Sequence, residues 1–125
     1  MNSQNQLKIM VIDDNPEILD CFKSIFDKSG AHLFLSKNPV TAIEEFKRTP
    51  YNIAFIDLYM PVINGLETME RLKEINPDLV AIIISGFRNP KMPEIAKKSG
   101  AQDYLFKPLD IKDILLGTIV SKKQQ

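Results

Sequence analysis

Short apolar runs alternate along the chain with longer segments in which apolar residues recur at helical spacing. The runs are rich in β-branched residues and mostly lack polar alternation, which predicts strands buried on both faces of a sheet. The predicted strands are Leu7–Ile12, residues 31–36, Tyr51–Ile56, Leu79–Ile84 and Tyr104–Phe106.

The segments between the strands carry helix-start signals. Asn15-Pro16 and Asn38-Pro39 each combine an N-cap residue with a proline at the first helical position. Gly30 is expected to stop the first helix. The first predicted helix carries the apolar residues Ile18, Leu19, Phe22, Ile25 and Phe26, and the second carries Ala42, Ile43 and Phe46. Three further helices are predicted over Leu66–Ile75, Glu94–Ser99 and Ile111–Val120.

Five strands alternating with five helices predict an α/β fold, a single doubly wound parallel sheet with helices on both faces. We expect one domain over residues 1–125, with a structured core of about 7–120 and polar tails. Pro90 and Pro93 precede the fourth helix and predict a long loop and a shortened helix.

The composition narrows the class of protein. Lysine plus arginine and aspartate plus glutamate number 16 each, so no basic excess favours nucleic acid or membrane as a partner of this domain. The single Cys21 cannot form an internal disulfide, which fits a reducing compartment. The sequence contains neither a signal-peptide pattern nor an apolar run of transmembrane length. A cytoplasmic protein is expected.

Polar residues follow the predicted strands at their carboxyl ends. They are Asp13, Asp14, Asp57, Ser85 and Lys107. In an open parallel sheet these ends share one edge, where ligands bind at the topological switch point. We therefore expect three carboxylates, a hydroxyl and an ammonium to meet there.

Three neighbouring carboxylates repel one another unless a cation neutralises them. Oxygen-only ligands favour Mg²⁺, or Mn²⁺ in its place, and the absence of a suitably placed His or Cys argues against zinc. With such a cation, one carboxylate can attack a phosphoryl group. Lys107 and the Ser85 hydroxyl are then expected to contact two of the phosphoryl oxygens.

These residues give the chain a clear resemblance to response-regulator receiver domains, from about Leu7 to about Val120. Each matching piece stands at or near a strand end, and the pieces occur in the family's order. They are V-I-D-D at Val11–Asp14, D-L-Y-M-P-V-I-N-G at Asp57–Gly65, S-G at Ser85-Gly86, S-G-A at Ser99–Ala101 and Y-L-F-K-P at Tyr104–Pro108.

The resemblance implies a metal site and a phosphoacceptor. Asp57 matches the phosphoacceptor, and Asp14 matches the direct metal ligand. Asp13 matches the acidic partner that usually reaches the metal through water. The backbone carbonyl of Tyr59 matches the third protein ligand.

The resemblance also implies a switch. Ser85 matches the switch hydroxyl, Lys107 the phosphate-binding lysine, and Tyr104 the aromatic that turns inward when the hydroxyl moves to the phosphate. The Lys107-Pro108 bond matches one that is usually cis in the family. The implied strand order is 2-1-3-4-5, as in flavodoxin-like proteins.

Two bulky residues are expected to flank the site. In the family, the side chains two residues after the phosphoacceptor and after the switch hydroxyl lie beside the path of attacking water. Here they are Tyr59 and Phe87, which predicts a long-lived aspartyl phosphate. The alternative is that both rings lie away from the phosphoryl group and serve only for packing.

The leading interpretation is a phosphorylation-driven switch rather than a turnover enzyme. Its implied partners are a sensor histidine kinase or phosphotransfer protein and a downstream protein target, and its oligomeric state stays open. The alternatives are a phosphorylation-independent binding module of the same fold, or a receiver fragment of a hybrid kinase or transcription factor. An enzyme is disfavoured: Tyr59 stands where a phosphohydrolase would carry a second acid, and the acidic residues 13–14 would repel a flavin phosphate.

Overall fold

Strands and helices alternate along the chain in the computed structural model, which describes residues 6–115. The elements are β1 Lys8–Ile12, α1 Pro16–Phe26, β2 His32–Ser36, α2 Pro39–Arg48, β3 Ile53–Asp57, α3 Gly65–Ile75, β4 Val80–Ser85, α4 Met92–Lys98 and β5 Asp103–Phe106. Residues 111–115 are helical, as predicted for the start of the last helix. The rest of that helix and the polar tails at both ends lie outside the described residues.

The strands form one five-stranded sheet in the order β2-β1-β3-β4-β5. Every neighbouring pair is parallel. This confirms the doubly wound α/β fold and the strand order implied by the resemblance. The register aligns Ile12 with Ile56, Asp57 with Ile84, and Ser85 with Phe106, so the strands end together along one edge.

Asparagine side chains start three of the helices. Asn15 accepts a hydrogen bond from the Glu17 amide, Asn38 from the Val40 amide, and Asn64 from the Glu67 amide. Such caps satisfy amide groups that have no partner inside the helix.

One helix end departs from the expected pattern, and the short helix α4 agrees with it. Helix α1 ends at Phe26, so Gly30, at φ +83°, lies in the connection to β2 rather than directly at the helix end. Helix α4 has only 7 residues and begins at Met92 without a side-chain cap, which confirms the shortened helix that the two prolines predict.

Each face of the sheet has its own apolar core, as expected for helices on both sides. Helix α1 packs on one face through Leu19, Phe22 and Phe26, together with Ile114 from the helical residues 111–115. Helices α2, α3 and α4 cover the other face. Their buried residues there include Ala42, Ile43, Phe46, Met69, Leu72 and Ala96.

A chain of polar contacts ties the edge strand β2 to α2. The Tyr51 hydroxyl donates a hydrogen bond of 2.6 Å to Glu45 Oε2 and lies 3.2 Å from His32 Nε2. Arg48 donates to the other Glu45 oxygen at 3.1 Å. His32 is exposed and lies in β2, the edge strand of the sheet. Across residues 6–115, no helix combines the length and apolarity needed to cross a bilayer.

Candidate functional site

Backbone hydrogen bonds hold the strand ends together where the polar residues lie. The Leu58 amide donates to the Ile84 carbonyl at 2.9 Å, just past Asp57, the last residue of β3. The Lys107 amide donates to the Ser85 carbonyl at 2.8 Å, and the Asp13 amide donates to the Ser36 carbonyl at 3.0 Å. The sheet therefore fixes the backbone at Asp13, Asp57, Ser85 and Lys107.

Asp13, Asp14 and Asp57 form an acidic cluster, with one carboxylate oxygen from each lying within 4.8 Å of the others. Asp13 is fully buried and Asp57 is 6% exposed, whereas Asp14 is open to solvent. The cluster can therefore be reached from outside through the Asp14 side, while its floor is shielded from water.

Lys107 is the cation of the cluster. Its ammonium lies 2.8 Å from Asp13 Oδ2 and 3.3 Å from Asp57 Oδ1. Burial lowers the pKa of Lys107, but the contacts with Asp13 and Asp57 outweigh burial and raise the pKa above its usual value. Among residues 6–115, Lys107 supplies the one ammonium paired with this cluster of three carboxylates, so negative charge is in excess.

Burial and the neighbouring negative charges raise the pKa of Asp57. Burial raises the pKa of its carboxyl, and the neighbouring charge of Asp13 raises the pKa further, to about 6, against the opposing attraction of Lys107. At neutral pH the carboxylate is still mainly ionised. It is thus a partly desolvated anion, and the ionised form of a carboxyl is the one that can act as a nucleophile.

The donor set fits a hard divalent cation. All three side chains offer oxygen atoms, which Mg²⁺ and Mn²⁺ prefer. Asp13 Oδ2 is buried and receives no aligned hydrogen bond, although the Lys107 ammonium lies nearby. A buried oxygen with a free lone pair and a site with surplus negative charge would both be relieved by a cation.

Gly65, the first residue of α3, lies directly against the strand end that carries Asp57. Its amide donates to the Leu58 carbonyl at 2.8 Å. A Cβ atom at position 65 would overlap the Asp57 carbonyl oxygen and would lie 2.8 Å from the Leu58 Cα. The residue at 65 must therefore be glycine for the helix to approach this closely.

Ser85 and Tyr104 are linked through the loop after β4. The buried Ser85 hydroxyl accepts a hydrogen bond from the Phe87 amide at 2.9 Å. The Tyr104 hydroxyl donates to the Phe87 carbonyl at 3.3 Å, and the Tyr104 side chain is 6% exposed, so its ring lies inward. Both residues predicted for the switch thus contact the same loop residue.

Tyr59 and Phe87 face each other at the rim of the site. Their rings meet edge to face, with 5.4 Å between centroids, and they are 56% and 42% exposed. The structure brings the predicted pair together. The described contacts do not include the Tyr59 backbone carbonyl, so its role as a metal ligand stays a prediction.

Arg88 joins the site region without being singled out by the sequence pattern. Its guanidinium lies 5.2 Å from the centre of the Phe106 ring and donates to the Lys107 carbonyl at 2.9 Å. An exposed arginine in a proline-rich loop gives no periodic signal, so only the folded arrangement reveals the contact. The Lys107-Pro108 bond is cis, as expected.

Comparison with known proteins agrees with this geometry. The family model described as "Response regulator receiver domain" matches residues 9–117, more than four fifths of the chain. The transcriptional regulatory protein ZraR of Klebsiella oxytoca is 29% identical over 114 residues. That match covers 91% of this chain but only 26% of ZraR.

A relative of similar length and a solved structure cover nearly the whole chain. The sporulation initiation phosphotransferase F of Bacillus subtilis (strain 168) is 27% identical over 107 residues, which is 86% of each chain. The receiver domain of the Francisella response regulator 1452 superposes with a TM-score of 0.86 at 26% identity, covering 96% of this chain and 100% of that one.

Proposed function

Because the chain belongs to the response regulator receiver family, a family of signalling modules from two-component systems, we propose that it is a phosphoacceptor that takes a phosphoryl group on Asp57. The observation that carries the proposal is the placement of a single ammonium, that of Lys107, between Asp13 and Asp57 in a cluster of three carboxylates. A structural salt bridge would need one carboxylate, whereas phosphoryl transfer needs a nucleophile, cation ligands and a countercharge.

The proposed reaction is an in-line displacement. A carboxylate oxygen of Asp57 attacks the phosphorus of a partner's phosphohistidine, the phosphorus–nitrogen bond breaks, and the electron pair returns to the imidazole nitrogen. Lys107 then moves from a pure carboxylate contact to share a phosphoryl oxygen, and the Ser85 hydroxyl binds another. No turnover follows beyond the protein's own dephosphorylation.

Asp13, Asp14 and Asp57, with the Tyr59 backbone carbonyl, would hold Mg²⁺ or Mn²⁺ in this site. When bound, the cation neutralises phosphoryl oxygens and offsets the surplus charge of the carboxylates. Asp13 is also fixed by the Asn15 amide, which donates to its Oδ1 at 2.9 Å, so its second oxygen is held at the floor of the cluster.

Phosphorylation is proposed to act on the contacts of the loop after β4. When the Ser85 hydroxyl turns to the phosphoryl group, it gives up the bond from the Phe87 amide. The Phe87 carbonyl, which binds Tyr104, belongs to the same residue and shifts with it. A local change at Ser85 is thereby carried to the surface around α4 and β5, where a protein target would bind.

The partners in this proposal are a sensor histidine kinase or phosphotransfer protein and a downstream protein. Nucleic acid is not a partner in the proposal, since the charges balance at 16 and 16. A cytoplasmic location belongs to the same proposal and agrees with a single unpaired cysteine, Cys21. The chain spans about a quarter of ZraR, so the activity of that longer relative is not transferred.

The experiment is intact-mass measurement after incubation with a small acyl phosphate and Mg²⁺. We expect one alkali-labile phosphoryl group on the wild-type chain, none on Asp57→Asn, and little when a chelator replaces Mg²⁺. Labelling that persists in Asp57→Asn would overturn the assignment. A protein that is never labelled, yet still binds a partner, would support the phosphorylation-independent module instead.

A further inference from the structure

Arg88 stands in the loop after β4 and makes both of its described side-chain contacts with β5 and the residue that follows it. The guanidinium stacks on Phe106, 5.2 Å from the ring centre. It also donates to the backbone carbonyl of Lys107 at 2.9 Å. One side chain therefore spans from the loop to the residue whose ammonium contacts Asp57.

The same loop and strand are joined by a second set of contacts. Phe106 packs against Tyr104 with 5.1 Å between ring centroids, and the Tyr104 hydroxyl donates to the Phe87 carbonyl at 3.3 Å. These contacts link Phe87 to Tyr104, Tyr104 to Phe106, and Phe106 to Arg88. Because Arg88 directly follows Phe87 in the chain, the contacts form a closed circuit. Each of these residues is therefore linked to two others of the circuit, by contact or along the chain.

We propose that Arg88 is a positioning residue that holds the loop after β4 on the end of β5, keeping Tyr104 inward and the Lys107 ammonium on Asp57. The inference rests on the proposed function for its effect on phosphorylation, but its effect on Tyr104 does not depend on that function. The Phe106 ring gives the cation a face to stack on, and the Lys107 carbonyl gives it a hydrogen-bond acceptor.

The geometry separates Arg88 from an ordinary exposed arginine. It forms no ion pair with any acid among residues 6–115, and both of its contacts are with Phe106 and Lys107. A planar guanidinium can stack and donate at the same time, which an ammonium does less well. Lysine at position 88 should therefore restore the contacts only in part.

The test compares Arg88→Met, Arg88→Lys and Phe106→Leu with Lys91→Met, a matched control that removes an exposed cation from the same segment. The first readout is the ring NMR spectrum of Tyr104 in the metal-free, unphosphorylated protein, with Tyr51 as an internal reference. We expect Arg88→Met and Phe106→Leu to shift and broaden the Tyr104 signals, Arg88→Lys to restore them in part, and Lys91→Met to leave them unchanged.

The second readout is the rate of Asp57 labelling by a small acyl phosphate at saturating Mg²⁺. We expect Arg88→Met to lower the labelling rate about fivefold, because the variant loses one exposed cation–π contact and one charged hydrogen bond. Lys91→Met should label at the wild-type rate. Tyr104 signals and labelling rates that are the same in Arg88→Met as in wild type would overturn the proposal. If wild type itself is not labelled, the proposed function fails, while the Tyr104 spectra still decide the role of Arg88.

Discussion

Close packing of the backbone around Asp57 gives individual residues a large influence on the site. The carboxylate of Asp57, the proposed phosphoacceptor, is positioned by its own strand, and Gly65 packs against the end of that strand. Its amide also donates to the Leu58 carbonyl at 2.8 Å. A side chain at position 65 therefore acts on Asp57 without touching its carboxylate.

Gly65→Ala should lower the free energy of unfolding by about 1–3 kcal/mol, the usual cost of overpacking. The added Cβ would meet the Asp57 carbonyl oxygen and the Leu58 Cα, and backbone cannot yield as a flexible side chain does. Urea unfolding measures the change. Gly86→Ala is the matched control, because nothing lies within 4 Å of a Cβ there. Equal losses in both variants would contradict the packing argument.

The rim residues Tyr59 and Phe87 should set how long the aspartyl phosphate lasts. Their rings touch edge to face beside the site, so each holds the other in place. Hydrolysis needs a water in line with the bond to phosphorus, and about 1.4 kcal/mol of lost alignment slows the step tenfold.

Tyr59→Asn and Phe87→Ala should each shorten the half-life of the phosphorylated protein by about three- to tenfold. The measurement is intact mass followed over time after the phosphodonor is removed. Because the rings contact each other, the double variant should shorten the half-life by less than the product of the two single effects. If neither single variant shortens the half-life, the rings serve only for packing.

Among the elements, α2 is joined to Tyr51, which precedes β3, by a contact that we expect to depend on pH. The hydrogen bond from the Tyr51 hydroxyl holds the pKa of Glu45 below its usual range, and the hydrogen bond from Arg48 lowers it further. A carboxyl whose pKa is lower in the folded than in the unfolded protein stabilises the fold above its unfolded pKa. That contribution is lost as the pH falls through the folded pKa.

Glu45→Gln should therefore be less stable than wild type at pH 7, and the gap should close as the pH falls below about 4, near the ordinary glutamate pKa. The other carboxylates are the same in both proteins, so their contributions to the pH dependence of stability cancel in the difference. Urea unfolding at a series of pH values measures it. Glu44→Gln is the control, since Glu44 is exposed and pairs only with Lys47 among the described contacts. A gap for Glu45→Gln that is constant with pH would exclude the proposed linkage.

The sequence predicts most elements because their signals are local. Apolar runs place the strands, and the Asn-Pro pairs place the starts of α1 and α2. Local signals are weaker at element ends. Tyr51 was expected in the third strand, but β3 begins at Ile53. Tyr51 is still buried, because its ring packs against Phe46 and its hydroxyl binds Glu45. Ile75 fits the apolar stripe of α3 and yet is 43% exposed at the helix end.

At the scale of the whole molecule, the parallel sheet gathers residues from four distant segments at one edge. Strand ends were predictable, so the placement of Asp13, Asp57, Ser85 and Lys107 at one edge of the sheet was predictable too. The side-chain contacts that the structure shows among them join Lys107 to Asp13 and Asp57. The contacts of Arg88 were not, because they depend on the direction of an exposed side chain in a loop. The direct consequence of the gathered carboxylates is a fold that carries excess negative charge at one edge.

Mg²⁺ should raise the melting temperature of the wild-type protein, because a ligand that binds only the folded state stabilises it. At ten times the dissociation constant the gain is about 1.4 kcal/mol. Asp14→Ala should lose most of this response and should itself be at least as stable without metal, since it removes one of three mutually repelling charges.

Glu70→Ala, which removes an exposed acid from α3 away from the cluster, should keep the full response to Mg²⁺. Thermal unfolding of the three proteins with and without Mg²⁺ measures the difference. A response that is unchanged in Asp14→Ala would place the cation elsewhere on the molecule.

The central claim is that Asp57 is the residue that carries the phosphoryl group. Borohydride reduction of the phosphorylated protein converts an acyl phosphate into an alcohol, and peptide sequencing by mass spectrometry then identifies the reduced residue. We predict that the reduced residue is Asp57 at the end of β3, and that the unphosphorylated protein gives no reduced peptide. Reduction at Asp13, Asp14 or any residue other than Asp57 would contradict the account.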